Sequence, residues 1–321
     1  MIPSISYTLS SKNFSEALLE AATDYGFFYL TDAPIDWKLV DEAWKSSDNF
    51  FLHASQEEKL VSRDREGHTG YTAFQEEKLD PNNTTISQGD FKESFYIAQL
   101  SPKPRQTLPP TLEKDHKSLE QLFEACRLIC GTILEAFAQS IDLDDQQYFS
   151  SKHTAFHDRL RLIHYPPTDV GQEGSSIRAG AHTDYGSITL LFQHQVSGLQ
   201  VWRENEGKWL DVAPQPHAIV VNVADALEFW TSGVMQSVQH RVVMPRTDDE
   251  AVSRFSIAYF CQPDDDAILA PKPLQEHLVK IQRKRSQEQY ERELKRKGIS
   301  SPSARLTGGQ HLQSRLKASY T

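Results

Sequence analysis

The sequence predicts a mainly β fold with α additions. Two observations carry this. Between residues 159 and 261, seven short runs rich in apolar and β-branched residues alternate with turn signals. On both sides of that stretch, apolar residues recur at helical spacing instead. Seven punctuated strands suggest a sandwich or a barrel, here carrying flanking helices.

The elements follow in order. Phe14, Ala17, Leu18, Ala21, Ala22 and Tyr25 share one helix face, and Gly26 stands where a helix would stop. Phe27–Leu30 forms a short buried strand, and a second helix covers Asp36 to about Phe51. Residues 60–110 are polar, contain Gly67, Gly70, Pro81, Gly89, Pro102, Pro104, Pro109 and Pro110, and read as a long surface excursion or lid. The clearest helix is 115–141, where Leu119, Leu122, Phe123, Cys126, Ile129, Cys130, Ile133, Leu134, Phe137 and Ile141 build one stripe. Strands then fall at 159–165, 188–193, 198–203, 208–213, 218–224, 234–244 and 254–261, with Glu204–Gly207 as a hairpin loop. A charged helix spans 274–297, and the last twenty residues read as a loop and tail. Residues 1–110 thus form an N-terminal helical and mixed region, and 111–321 the β-rich core with its C-terminal helix. No flexible linker separates them, so one compact unit is expected.

Composition narrows the function. A chain of 321 residues can bury a large core without staples. Its net charge of −10 argues against a general nucleic-acid or anionic-membrane binder, since both need basic patches. Three cysteines, Cys126, Cys130 and Cys261, fit a reducing compartment better than a disulfide framework. The N-terminus lacks a basic segment followed by a long apolar one, and no run approaches a membrane span, so a cytoplasmic location is expected.

The chemistry concentrates in Gly180-Ala181-His182-Thr183-Asp184-Tyr185-Gly186. In extended chain, His182 and Asp184 lie on one face, so both can reach one metal ion. His240, inside a later strand, is the best third ligand. Two imidazoles and one carboxylate make the facial triad of non-haem ferrous oxygenases, with the opposite face open. The same groups also suit Zn²⁺ and a hydrolase, and singly they read as a surface pair and a core histidine. In the next strand Arg254 and Ser256 share a face. An arginine pointing inward from a core strand requires an anion. A guanidinium grips a carboxylate through two parallel bonds, so a dicarboxylate such as 2-oxoglutarate suits Arg254 as well as a structural ion pair does.

These motifs resemble the isopenicillin N synthase-like Fe(II)/2-oxoglutarate-dependent dioxygenases. The likeness covers most of the chain. Gly26–Leu30, Gly70-Tyr71, Asp90–Phe95, Leu160–Pro167, Gly198–Val201 and Val221–Asp225 are similar to further landmarks of that family. Two positions depart from it: Ile163 stands where many plant members carry Asn, and Ala224-Asp225 replaces Gly-Asp.

The resemblance implies a double-stranded β-helix (jelly-roll) core, with iron on His182, Asp184 and His240. It implies Arg254 and Ser256 on the distal carboxylate of 2-oxoglutarate, with Tyr165 as a further contact. It implies O₂ as co-substrate, ascorbate as a supporting reductant, and a small metabolite, such as a natural product, as the molecule hydroxylated, desaturated or cyclised. No nucleic acid, membrane or obligate protein partner is expected. The substrate pocket would draw on Tyr71, Phe74, Phe95, Tyr96, Phe192, Phe229 and Trp230, each of which also reads as ordinary core. Arg178, in a Gly/Ser-rich stretch, reads as a contact for an acidic substrate or as a solvated loop charge. An iron oxidase independent of 2-oxoglutarate, a zinc hydrolase and a non-catalytic binding module are the rival readings.

Overall fold

The change of period near residue 158 marks where a helical layer gives way to sheet. A computed structural model describes residues 1–63, 69–80, 89–101, 106–170, 177–270, 276–282, 287–302 and 304–320. Strand β1 (Ser4–Ser6) leads into helix α1 (Ser11–Asp24), which buries Phe14, Leu18, Ala21 and Ala22. Gly26 ends that helix at φ +66°, and a Cβ there would lie 2.4 Å from the Gln236 carbonyl, so only glycine fits. The chain turns directly into β2 (Phe27–Thr31). Helix α2 (Trp37–Asp48) starts where the Asp36 carboxylate accepts from the Lys38 N–H at 3.0 Å, and it runs into a π-helical turn at Asn49–His53.

The stretch 60–110, expected to be irregular, holds real elements. Helix α3 (Gln56–Val61) enters it and α4 (Pro110–Glu113) closes it, with strands β3 (Gly70–Thr72) and β4 (Glu93–Ile97) between. These strands escaped detection because β3 has three residues and β4 begins on a charge. Glu93 is buried and takes bonds from Tyr71 Oη (2.5 Å), Lys59 Nζ (3.3 Å) and His164 Nδ1 (2.8 Å). A buried carboxylate so satisfied behaves as core.

Helix α5 (His116–Ser140) buries its predicted stripe. After it come β5 (Arg159–Tyr165), β6 (Ile177–His182), β7 (Ile188–Gln193), β8 (Leu199–Arg203), β9 (Lys208–Asp211), β10 (Ile219–Val223), α6 (Asp225–Trp230), β11 (His240–Val243) and β12 (Arg254–Cys261). One sheet runs β1-β2-β10-β7-β12-β5-β4-β3, and a second runs β6-β11-β8-β9. Together they form the double-stranded β-helix, or jelly roll, that the resemblance implied. The larger sheet therefore takes strands from both sides of residue 110. Helix α5 covers its outer face, where Phe123 meets Tyr259 edge to face at 5.0 Å.

Three expectations need correction. Residues 234–239 are not strand, because Ser232 and Gly233 turn the chain at positive φ after α6, and β11 begins only at His240. Strand β6 was not foreseen, because Arg-Ala-Gly-Ala-His has no apolar alternation. The last residues are not a tail: after α7 (Glu276–Gln282) and α8 (Gln287–Arg296), helix α9 (Gly308–Tyr320) packs back with His311 and Arg315 buried. No described helix is long and apolar enough to cross a membrane.

Arg315 belongs to a buried ion network. Asp225, at the start of α6, meets Lys297 Nζ at 2.7 Å and Arg315 Nε at 2.6 Å, and Lys297 also pairs with Glu228. Burial opposes ionisation of Asp225, but Lys297 and Arg315 hold its carboxyl well below the usual range. Lys297→Met would remove the buried cation that Glu228 and Asp225 share, leaving Asp225 with Arg315. We expect it to lower unfolding free energy by about 3–5 kcal/mol in urea melts, the usual result of breaking a buried pair. A loss under about 1 kcal/mol would show the network to be dispensable.

Candidate active site

Two strands of the smaller sheet place the imidazoles. Strand β6 ends at His182, β11 begins at His240, and the pairing register sets these two residues opposite each other. Their ring centroids are 4.2 Å apart. Asp184 follows in the turn toward β7. His182 Nε2 lies 3.8 Å and His240 Nε2 3.6 Å from Asp184 Oδ1. One ligand atom from each residue lies within 4.8 Å of the others, a spacing that could hold a metal ion.

The outer atoms of all three groups are engaged. His182 Nδ1 bonds the Gly180 carbonyl at 2.8 Å, and His240 Nδ1 bonds the Val238 carbonyl at 3.4 Å. A carbonyl can only accept, so each Nδ1 carries the proton and each Nε2 turns a lone pair to the centre. Asp184 Oδ2 accepts from Thr189 Oγ1 (2.6 Å) and Asn222 Nδ2 (2.9 Å), which leaves Oδ1 for the centre. The Asp184 carbonyl accepts from the Asp225 N–H at 2.9 Å, and Thr183 Oγ1 donates to Asp225 Oδ2 at 3.0 Å. The ion network thereby fixes the ligand loop. Burial, then the neighbouring His240, pushes His182 down to about 4, so it is neutral and able to ligate near pH 7. Burial would raise Asp184, but the two histidines and its two hydrogen bonds hold it below the ordinary range. This nitrogen and oxygen donor set, with one side left open, suits a ferrous ion.

A second cationic group lies on β12. Arg254 is fully buried, with its guanidinium carbon 4.8 Å from the Tyr165 ring centroid. Its Nε donates to the Val196 carbonyl (3.2 Å) and one Nη to Gln193 Oε1 (3.3 Å), while Nη1 is buried without a partner. No described carboxylate pairs with it, so the structural ion pair left open by the sequence is not what Arg254 makes. Ser256, two residues on, is buried on the same strand. A buried guanidinium with an orphaned N–H suits an incoming carboxylate.

A cleft of about 510 Å³ opens over His182 and Asp184. Of the predicted substrate residues, Tyr71 and Tyr96 line it. Phe95, Phe192, Phe229 and Trp230 do not: strand and helix geometry turn them into the core, against Phe50, Trp37, His311 and Phe149 respectively. Phe74 is 40% exposed and packs on Phe91. Arg178 sits on β6 and is 1% exposed, so it is neither in a loop nor solvated.

Among the wall residues that sequence reasoning missed are Arg161, Tyr185, Phe260, Gln262, Leu312 and Leu316. Arg161 and Phe260 continue the inward faces of Tyr165 and Arg254, so strand alternation could have found those two; Tyr185 is signalled only by standing next to Asp184. The two leucines come from α9, and no local pattern announces them. Arg161 donates to Glu77 Oε2 (2.5 Å) and Ser94 Oγ (2.9 Å) and lies 4.3 Å over the Tyr96 ring.

The bonds behind Asp184 make a direct prediction. Thr189→Val and Asn222→Ala should each weaken Mn(II) or Fe(II) affinity roughly 10- to 100-fold in calorimetric titrations, the usual effect of losing a ligand's supporting hydrogen bond. Unchanged affinity in both would mean that Asp184 needs no orienting partner.

Comparison with known proteins agrees with this geometry. Residues 156–263 match the model of the 2OG-Fe(II) oxygenase superfamily, and residues 2–125 match that of the non-haem dioxygenase in morphine synthesis N-terminal region. The UPF0676 protein C1494.01 of Schizosaccharomyces pombe is 36% identical over 259 residues, 79% of each chain. The 2-oxoglutarate-dependent dioxygenase frbA of Dothideomycetidae sp. (strain 11243) is 31% identical over 301 residues, covering 85% of this chain and 89% of that one. Among solved structures, a full-length Neurospora crassa protein in complex with alpha-KG and thymine superposes with a TM-score of 0.79 at 29% identity, over 99% of this chain and 97% of that one. With both segments of the fold matched and the donor set in place, the chain belongs to the 2OG-Fe(II) oxygenase superfamily and is a 2-oxoglutarate-dependent dioxygenase that oxidises a small molecule with iron and O₂.

Proposed function

We propose that His182, Asp184 and His240 hold the ferrous ion, and that Arg254, Ser256 and Tyr165 receive the distal carboxylate of 2-oxoglutarate. The observation that carries this is the bare inner edge of the triad: two Nε2 atoms and one carboxylate oxygen face each other while every outer atom is hydrogen-bonded. When bound, iron couples the conversion of 2-oxoglutarate and O₂ into succinate and CO₂ to insertion of the second oxygen atom into a substrate C–H bond. The protein's own part is to fix the ligands, anchor the dianion at a buried cation and keep bulk water from the reacting face.

For the substrate we infer a small planar ring with a hydrogen-bonding edge, of the pyrimidine-base class. Tyr71, Tyr96, Tyr185 and Phe260 offer ring surfaces around the cleft. Arg161, with Nε buried and unpartnered, and Gln262 offer polar atoms at the same wall. The thymine in the Neurospora crassa structure supports this class. We further infer that the chain acts as one unit, because its larger sheet runs through both segments, and that it works in the cytoplasm, where its three buried free thiols suit a reducing milieu.

Anaerobic addition of 2-oxoglutarate to the Fe(II) protein should give a visible charge-transfer band, and His182→Ala should lose both the band and all succinate production. Full succinate production in His182→Ala would discard the triad. Arg254→Leu should raise the KM for 2-oxoglutarate at least about tenfold while metal affinity stays unchanged, since one charge-assisted pair is lost. Thymine should stimulate succinate release in the presence of ascorbate. A panel in which only aliphatic acids stimulate would refute the planar-ring reading.

A further inference from the structure

Arg178 and Arg254 approach the same end of β5 from different strands. Arg178, on β6, donates through Nη2 to the Pro166 carbonyl at 3.1 Å, immediately after Tyr165. Arg254, on β12, lies over the Tyr165 ring itself. Each is 1% exposed. Each keeps one N–H-bearing nitrogen buried without a partner, Nε of Arg178 and Nη1 of Arg254. Among the described residues neither is paired with a carboxylate. Among the described residues, Glu250 is the acid whose charge reaches Arg178, and it is already engaged by the Arg246 N–H (2.8 Å) and the Arg246 guanidinium (3.7 Å).

Two buried cations with two orphaned donors are a costly arrangement by themselves. Like charges repel, and the neutral carbonyls of Pro166 and Val196 and the Gln193 amide oxygen offset little of the desolvation. Burial, then the nearby charge of Arg254, lowers Arg178 to about 10, which leaves it still charged at neutral pH. A buried cation retained under these conditions requires an anion. We propose that Arg178 is a second cationic anchor of the co-substrate pocket, and that the distal carboxylate of 2-oxoglutarate lies between the guanidinium groups of Arg178 and Arg254. This rests on the reading of Arg254 given above and extends it. It also gives a reason for specificity, because a 2-oxo acid without the second carboxylate would leave two buried cations facing each other.

The test uses full-length Mn(II)-loaded protein, which binds without turnover, and calorimetric titration with two ligands. One is 2-oxoglutarate, and the other is 2-oxopentanoate, of the same chain length but without the distal carboxylate. Arg178→Gln keeps a donor for the Pro166 carbonyl and removes the charge, and Arg178→Lys keeps the charge. Arg178→Gln should weaken 2-oxoglutarate roughly 10- to 100-fold, the worth of one charge-assisted hydrogen bond, and leave 2-oxopentanoate unchanged. Arg178→Lys should recover part of the loss. An unchanged 2-oxoglutarate affinity in a folded Arg178→Gln, or an equal loss for both ligands, would overturn the proposal and make Arg178 structural. A wild-type protein that does not prefer 2-oxoglutarate to 2-oxopentanoate would overturn the Arg254 reading, and this one with it.

Discussion

The whole site depends on one carboxylate presenting one bare oxygen. Asp184 is buried between two imidazoles, and nothing about an isolated His-x-Asp turn dictates which way its oxygens point. Thr189 on β7 and Asn222 on β10 claim Oδ2, and the Asp225 N–H claims the Asp184 carbonyl. Three adjacent elements of the fold thus converge on one residue, and the jelly roll brings them there by pairing β10 with β7. The two imidazoles obey the same logic, each losing its outer nitrogen to a carbonyl two residues back. Preorganisation of this kind means that a metal need only displace solvent and not rearrange side chains.

Charge is arranged in the opposite sense to the surface. The chain carries a net charge of −10, yet its interior buries cations, among them Arg161, Arg178, Arg254, Lys297 and Arg315. These buried cations fall into two groups. Arg161, Lys297 and Arg315 each have a carboxylate: Glu77, Glu228 with Asp225, and Asp225. Arg178 and Arg254 have none among the described residues. Paired cations hold the walls of the cleft and the ligand loop, and the unpaired ones lie at the end of β5 beyond Ile163. The desolvation argument separates the two uses without reference to any ligand, since a buried charge left unmatched persists only where something else matches it.

What the sequence made legible was chemistry that a residue type alone can signal. His182, Asp184 and His240 stood out because a metal needs lone pairs on one side, and the fold brings them together; Arg254 stood out because an inward arginine needs an anion, and it is buried. The helix stripe of α5 and seven of the eight later strands were readable, β11 with its start six residues too early, because burial imposes a period. Strands β1, β3, β4 and β6 were not, being short or charged, and the charge that opens β4 is satisfied by partners distant in sequence, Tyr71 and His164 on Glu93. Phe229 and Trp230 show the converse failure. They are aromatic and close in sequence to His240, but α6 turns them away from the cleft, and aromatic identity carries no direction.

Helix α9 shows why the C-terminal residues count as part of the site. Its Arg315 reaches Asp225 at 2.6 Å and lies 4.8 Å over the ring of Tyr185, the residue after Asp184. On the same helix Leu312 and Leu316, three residues before and one after Arg315, line the cleft. One side chain thus ties the helix to the Thr183–Tyr185 loop while its neighbours supply apolar wall. Asp225 receives Thr183 Oγ1 and Arg315 on a single carboxylate, so the position of the wall and the position of the ligand loop are set by the same group. A change that moves α9 would therefore move Asp184 as well, which couples the shape of the cleft wall to the geometry of the His182–Asp184–His240 cluster through one buried anion.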